Sequence, residues 1–169
     1  MPETAVEYKA RIHGHLNGKE PLEVLGQTSA ILRQLTESLP DEALRRRPAP
    51  DKWSVMEIAA HLADVEIVIS FRIRLILGAE DGVPILGFDQ DSWVTAGRYE
   101  RQSLSSALDA FSALRRRNLE LYRSLTAEQW DKYGLHSERG EESVRDLVKL
   151  NAGHDLNHLQ QIQRIAGQR

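Results

Sequence analysis

Apolar residues recur every three or four positions in four long segments of this chain, which is the pattern of a helix with one buried face. The segments run from about Pro21 to Leu39, Ser54 to Leu77, Ser103 to Leu125 and Ser143 to Ile165. Strand-like alternation is at most brief, near Lys132 to His136. Four such helices predict an all-α protein built as a four-helix bundle. We expect one domain over residues 1–169, with its core at about 21–165.

Local signals set the expected ends of these segments. Ser54 and Glu57 form a capping-box pattern at the start of the second helix, and Gly78 marks its end. Thr126 to Gln129 predicts a short capped turn, and Asp41 to Leu44 predicts a short turn. The pattern does not determine the order of the helices around the bundle.

A long connection joins the second and third helices over residues 79–102. It contains glycine, proline and aromatic residues, so we expect an irregular but packed segment. Loops of this length inside a domain are usually functional, or they cross from one end of the domain to the other. Its Trp93 is expected to pack into the core, with covering of the site as the alternative.

Composition excludes several classes of function. The formal charge is −3, from 22 basic and 25 acidic residues, which argues against nucleic acid as a partner. No cysteine is present, so disulfides, thiolate nucleophiles and cysteine metal sites are excluded. No signal-peptide pattern or membrane span is visible, and we therefore expect a cytoplasmic protein without a membrane partner.

Any metal must therefore bind to histidine, aspartate or glutamate, and the positions of the histidines are informative. His154 and His158 lie four residues apart, on one face of the last predicted helix. His61 lies in the most apolar part of the chain, where an imidazole needs a partner. Three neutral imidazoles on facing helices suit a catalytic divalent metal with open coordination positions.

Each histidine also has a simpler interpretation. His61 alone is more typical of a core histidine, and an isolated pair four residues apart is more often on the surface. Their joint occurrence favours the metal. His13, His15 and His136 have polar neighbours in the sequence, so we expect them to be exposed and not to be ligands.

Two longer strings resemble the signatures of the DinB/YfiT-like metalloenzyme family. The first is WSVMEIAAHLADVE, from Trp53 to Glu66, and the second is HDLNHLQQI, from His154 to Ile162. Together they are specific, and the resemblance spans about Pro21 to Ile165. It implies a four-helix bundle with a divalent metal, zinc or nickel, on His61, His154 and His158, and a homodimer.

The resemblance also implies the class of chemistry. Characterised branches of the family use low-molecular-weight thiols such as bacillithiol or mycothiol in S-transfer and isomerisation, and others are described as metal-dependent hydrolases. We therefore expect a small-molecule enzyme that transfers such a thiol cosubstrate to an electrophile. A hydrolase with metal-activated water is the first alternative, and a non-catalytic dimeric metal-binding module is the second.

Helical spacing suggests residues that support the ligands. Glu57 and Asp64 flank His61 by one turn, and Gln161 follows His158 by three residues, so each is a candidate to orient an imidazole. Helix capping is the alternative for Glu57, and an ordinary polar position is the alternative for Asp64 and Gln161. Trp53 is expected to pack at the start of its helix or to line the pocket.

Two arginine runs, 45–47 and 115–117, are interpreted as solvated faces. One of these arginines can alternatively reach an acidic thiol cosubstrate.

Overall fold

The computed structural model describes residues 3–167, and four long helices dominate it. They are α2 (Pro21–Thr36), α4 (Val55–Gly78), α6 (Leu104–Ser124) and α8 (Val144–Gly167). Each lies within a few residues of its predicted segment, and the all-α four-helix bundle is confirmed. No helix among the described residues is both long and apolar enough to cross a membrane.

Four shorter helices and a small sheet complete the structure of the described residues. The helices are α1 (Ala5–Gly14), α3 (Asp41–Arg45), α5 (Gln90–Ala96) and α7 (Ala127–Asp131), with a 3-10 turn at Tyr99–Arg101. The strands are β1 (Val83–Ile85), β2 (Tyr133–His136) and β3 (Gly140–Ser143). The sequence predicted a short turn at the position of α3 and a capped turn at that of α7, and β2 lies where it showed at most brief alternation. It did not predict α1, α5, β1 or β3.

Packing places the helices around the bundle in an order that the sequence left open. Helix α2 packs against α6 and α8, and α4 packs against the same two helices. Consecutive long helices α2 and α4 therefore occupy opposite corners of the bundle. This arrangement makes α4, which carries His61, a direct neighbour of α8, which carries His154 and His158.

The connection between α4 and α6 is more ordered than its glycines suggested. Strand β1 pairs in parallel with β2, and β2 pairs with β3 in an antiparallel hairpin. A Cβ on Gly134 of β2 would lie 2.5 Å from a side-chain carbon of Ile85, so glycine allows the two strands to approach. Trp93, expected in the core, contacts Phe88 but remains 38% exposed.

The core consists of two apolar clusters that share the length of the bundle. On α4 the first cluster ends at Ala63 and the second begins at Val65, while on α8 the second ends at Ala152 and the first resumes at Leu159. Buried polar side chains lie at or near this boundary: His61 and Glu66 on α4, and His154, Asp155 and His158 on α8. They include the three histidines predicted as ligands.

Candidate metal centre

His61, His154 and His158 meet inside the bundle. His154 Nε2 lies 3.1 Å from His61 Nε2 and 3.0 Å from His158 Nε2. Each of the three residues is at least 94% buried. They form the only group of three or more potential ligand residues within residues 3–167 whose ligand atoms all lie within 4.8 Å of one another.

The spacing of these nitrogens fits a shared metal ion. Two nitrogen ligands about 2.0–2.1 Å from one ion and about 90–110° apart lie roughly 2.8–3.4 Å from each other. Hydrogen bonding explains the contacts less well, because a neutral imidazole nitrogen is either one donor or one acceptor, and His154 Nε2 faces two nitrogens. The donor set therefore fits a divalent metal, as the sequence predicted.

The Nδ1 atoms of His158 and His154, which point away from the cluster, differ in their hydrogen bonding. His158 Nδ1 donates to Gln161 Oε1 at 2.7 Å, which leaves Nε2 unprotonated and directed at the other two histidines. His154 Nδ1 is buried without a hydrogen-bond partner among the described residues. Trp53 stacks parallel to His158, with ring centroids 6.1 Å apart, and lies 4.7 Å from the His61 ring.

Burial keeps all three imidazoles neutral. It lowers the pKa of His61 and of His154 well below 6.5, and the proximity of the other imidazoles adds to this effect. Burial also lowers the pKa of His158 to about 4, although the bond to Gln161 opposes the shift. Neutral imidazole is the form that binds a metal, so the folded protein presents the ligands ready for binding at pH 7.

Of the three candidate supporting residues, Gln161 alone hydrogen-bonds to the cluster. Glu57 caps α4 through Ser54 and also binds Arg47, which holds its pKa below the usual range although burial opposes this. Asp64 accepts a hydrogen bond from the hydroxyl of Tyr99. Glu57 therefore acts as a helix cap, which was the alternative role for it. Asp64 binds Tyr99 and so holds the connection between α4 and α6 against α4.

Arg115 corrects the interpretation of residues 115–117 as a solvated face. Its side chain is 2% exposed, and it donates to Asp155 at 2.6 Å and to Glu66 at 2.8 Å. It also donates to the carbonyl of Leu25 on α2, so this one guanidinium joins all four long helices. The missed signal is its position on the apolar stripe of α6, four residues after Phe111 and four before Leu119.

The sequence also misjudged the exposure of the other histidines. His136 is 3% exposed, because β2 is covered on that face, while His13 and His15 are half-buried. None of the three belongs to the cluster of potential metal ligands found in residues 3–167.

An open cleft of about 530 Å³ leads to the histidines. His154 and His158 line it from α8, Trp53 and Ile58 line it from the start of α4, and Tyr8, Arg11 and Ile12 of α1 form another wall. Helix α1 was not predicted, although Thr4 and Glu7 form a capping box at its start. A Cβ on Gly153 would lie 2.2 Å from the carbonyl oxygen of Ile12, so glycine permits α1 to pack this closely on α8.

Comparison with known proteins agrees with this geometry. The sequence model of the DinB superfamily matches residues 25–162 of this chain. This chain belongs to the DinB superfamily. The match includes all three histidines of the cluster.

Named relatives and a solved structure extend the comparison. "Putative metal-dependent hydrolase YfiT" of Bacillus subtilis is 26% identical over 166 residues, covering 95% of this chain and 93% of the relative. An Oceanobacillus iheyensis protein of the same description is 27% identical over 131 residues, covering 78% and 75%. The YfiT structure, titled a "probable metal-dependent hydrolase with an unusual four-helix bundle topology", matches with a TM-score of 0.82 at 23% identity, covering 88% of this chain and 85% of the other.

Proposed function

We propose that this member of the DinB superfamily is a metal-dependent enzyme that transfers a low-molecular-weight thiol to an electrophilic small molecule, with His61, His154 and His158 as the metal ligands. The observation that carries the proposal is the convergence of three neutral imidazoles, two of which, His154 and His158, line an open cleft. A divalent ion held by these residues would act as a Lewis acid and would lower the pKa of a thiol or a water bound in the cleft.

The carboxylates around the cluster support thiol transfer over hydrolysis. Attack by water is usually assisted by a general base within hydrogen-bond reach. The ligand cluster found in residues 3–167 includes no carboxylate, and Glu57, Asp64 and Asp155 are each committed to other partners. A thiolate is itself a strong nucleophile and needs no such base. Three neutral ligands also leave the charge of a divalent ion uncompensated, which favours an anionic thiolate and a hydroxide alike.

The transfer step balances without an oxidant or reductant. The sulfur of the cosubstrate forms a bond to carbon of the electrophile, and a leaving group such as a halide departs with the bonding electron pair. The thiol proton passes to solvent through the open cleft. Because the chain contains no cysteine, the sulfur comes from the cosubstrate.

Hydrolysis is the second candidate. It is supported by the names of the relatives and by Asp91, which lines the same cleft as His158 and can assist a water that approaches from that side. The openness of the cleft supports either reaction over a non-catalytic metal-binding module, because a structural metal site is typically closed by four protein ligands.

We extend the proposal to a cytoplasmic homodimer. Ile67 and Phe71 lie one turn apart on α4 and are 51% and 65% exposed, which is unusual for large apolar side chains on one face. We expect light scattering to give a dimer mass for the protein and a monomer mass for a Phe71→Glu variant. A monomeric wild-type protein would remove this part of the proposal.

The catalytic proposal is tested with zinc- and nickel-loaded protein, monochlorobimane as the electrophile and cysteine or bacillithiol as the thiol. We expect chloride release and a fluorescent thioether that require both metal and thiol. His61→Ala should abolish both metal binding and turnover. His15→Ala, which removes a half-buried histidine outside the cluster, should leave both unchanged.

The outcomes separate the candidates. Metal-dependent cleavage of a chromogenic ester without added thiol, lost in His61→Ala, would establish the hydrolase instead. Failure to bind a divalent metal at one ion per chain would overturn both.

A further inference from the structure

A second, smaller cavity lies beside the cleft and is lined in part by His154. Its volume is about 40 Å³. Tyr8, Gln90 and His154 line both spaces, so the small cavity adjoins the cleft. Its remaining polar lining consists of Arg72, Arg139 and Asn151.

Arg72 is a buried cation without an ion-pair partner among residues 3–167. The residue is 5% exposed, and its one recorded hydrogen bond runs from Nη2 to the carbonyl of Leu86. Its guanidinium also lies 5.7 Å from the centre of the Phe88 ring. Burial and the charge of Arg139 lower its pKa to about 10, so Arg72 still carries its charge at neutral pH.

The nearby buried carboxylate, Glu142, is already paired with two other cations. Glu142 accepts two bonds from Arg139, at 2.7 and 2.8 Å, and Lys9 lies 3.1 Å from the same carboxylate. Arg139 and Lys9 therefore share the single negative charge of Glu142, and Arg72 adds a third positive charge beside them. Glu138 also lies nearby, but its side chain is exposed.

An unpaired hydrogen-bonding group at the cavity shows that an acceptor is also missing there. His154 Nδ1 carries a proton when Nε2 faces a metal, and it is buried without a partner among the described residues. Buried donors without acceptors are costly, and a cation is costlier still.

We infer that this cavity binds a small anionic group of carboxylate size, held by the Arg72 guanidinium and flanked by His154 and Tyr8. A water needs roughly 10–15 Å³ measured in this way, so the cavity has room for about three non-hydrogen atoms. A guanidinium matches the planar geometry of a carboxylate with two parallel N–H donors. The anion is either a free ion, such as bicarbonate or formate, or the carboxylate of a substrate that reaches in from the cleft.

Binding is measured with formate and acetate as probes on metal-loaded protein. Ionic strength is held constant with gluconate, which is too large for the cavity. We expect formate to raise the thermal unfolding midpoint in a saturable manner. Arg72→Gln should weaken formate binding about tenfold or more, because a charge-assisted pair is lost. Arg116→Gln, which removes the same charge from an exposed position, should bind formate like the wild type.

The variants distinguish this cavity from the metal itself, which also attracts anions. Binding at the metal would persist in Arg72→Gln, and equal formate affinity in that variant would overturn the inference. If Arg72→Gln does not fold, Arg72→Lys keeps the charge but loses the planar fork. Several-fold weaker binding to Arg72→Lys supports the cavity, and unchanged binding overturns it.

A second arm identifies the source of the anion, and this arm alone rests on the proposed function. If formate raises KM for a carboxylate-bearing thiol or electrophile without changing kcat, the cavity belongs to the substrate. If formate binds without affecting KM, the cavity holds a free ion. The thermal measurement needs no turnover, so failure of the proposed enzymatic activity leaves the test of anion binding intact.

Discussion

Replacing Arg115 with methionine would test whether the buried ion network holds the bundle together. The guanidinium pairs with Glu66 and Asp155, both of them 0% exposed, and it reaches the backbone of α2. Asn118 and Asn151 donate further bonds to Glu66. Methionine fills a similar volume but leaves two buried carboxylates without a cation.

The expected loss of stability is large. Removing one member of a buried ion pair typically costs about 3–5 kcal/mol, because an uncompensated charge remains inside the protein. A chain of this size has a total unfolding free energy of about 5–15 kcal/mol. At about 2–4 °C per kcal/mol, the unfolding midpoint should fall by roughly 6–20 °C.

The assay is urea and thermal unfolding of chelator-treated protein, so that metal affinity does not enter the comparison. Arg116→Met is the matched control, since Arg116 is the next residue on the same helix and is exposed. That variant should stay within about 0.5 kcal/mol of the wild type. Adding Glu66→Gln and Asp155→Asn to Arg115→Met should recover part of the loss, because the buried charges are then removed.

The pH dependence gives an independent check. In the wild type, burial raises the pKa of Glu66, but the effect of Arg115 outweighs burial and keeps this pKa below 4.5. The stabilisation that the Glu66–Arg115 pair provides is therefore present above pH 4.5 and is lost as pH falls. Burial already raises the pKa of Asp155 in the wild type, although Arg115 opposes it. In Arg115→Met that opposition is lost at both carboxyl groups, so both pKa values should rise and protonation should then relieve the folded state. The gap between the two proteins should therefore narrow from pH 7 to pH 4. An Arg115→Met loss no greater than that of Arg116→Met would refute the reasoning.

Three further predictions concern the site and its surroundings. Gln161→Leu should weaken metal binding about 10–100-fold in a chelator competition, because His158 loses the acceptor that orients it, while Gln160→Leu, at an exposed position, should not. Gly153→Ala should destabilise the protein in urea unfolding, since its Cβ would meet the α1 backbone 2.2 Å away, and unchanged stability would contradict that close packing. Burial, assisted by nearby arginines, lowers the pKa of His136 to about 4, so its unfolded form binds more protons between pH 6.5 and 4 and stability falls as pH drops through that window. His136→Gln, compared in the same metal state, should show a shallower fall over this range.

The residues of the candidate metal site could be predicted because two local signals coincide. His154 and His158 share a helix face by spacing alone, and His61 lies in an apolar segment that has to be buried. The same reasoning reached Gln161, one turn beyond His158. It could not choose among Glu57, Asp64 and Gln161, because the choice depends on Arg47 and Tyr99, which come from other parts of the chain.

Arg115 shows how a local rule can mislead. A run of three arginines is usually solvated, yet the middle of the bundle holds two carboxylates that come from α4 and α8. Only the tertiary structure brings these three side chains together. The apolar stripe on α6 already favoured burial of position 115, but the chemical type of the residue opposed that interpretation.

The sequence by itself determined the four long helices, their approximate ends and the residues able to bind a metal. Hydrophobic periodicity and capping are local properties, so they can be read without knowing what each helix packs against. The tertiary structure decided which helices are neighbours, and it placed α1 over the cleft and Arg72 in a buried cavity without a carboxylate partner among the described residues. These features depend on contacts between residues far apart in the chain, and those contacts form only when the apolar faces of the helices pack together.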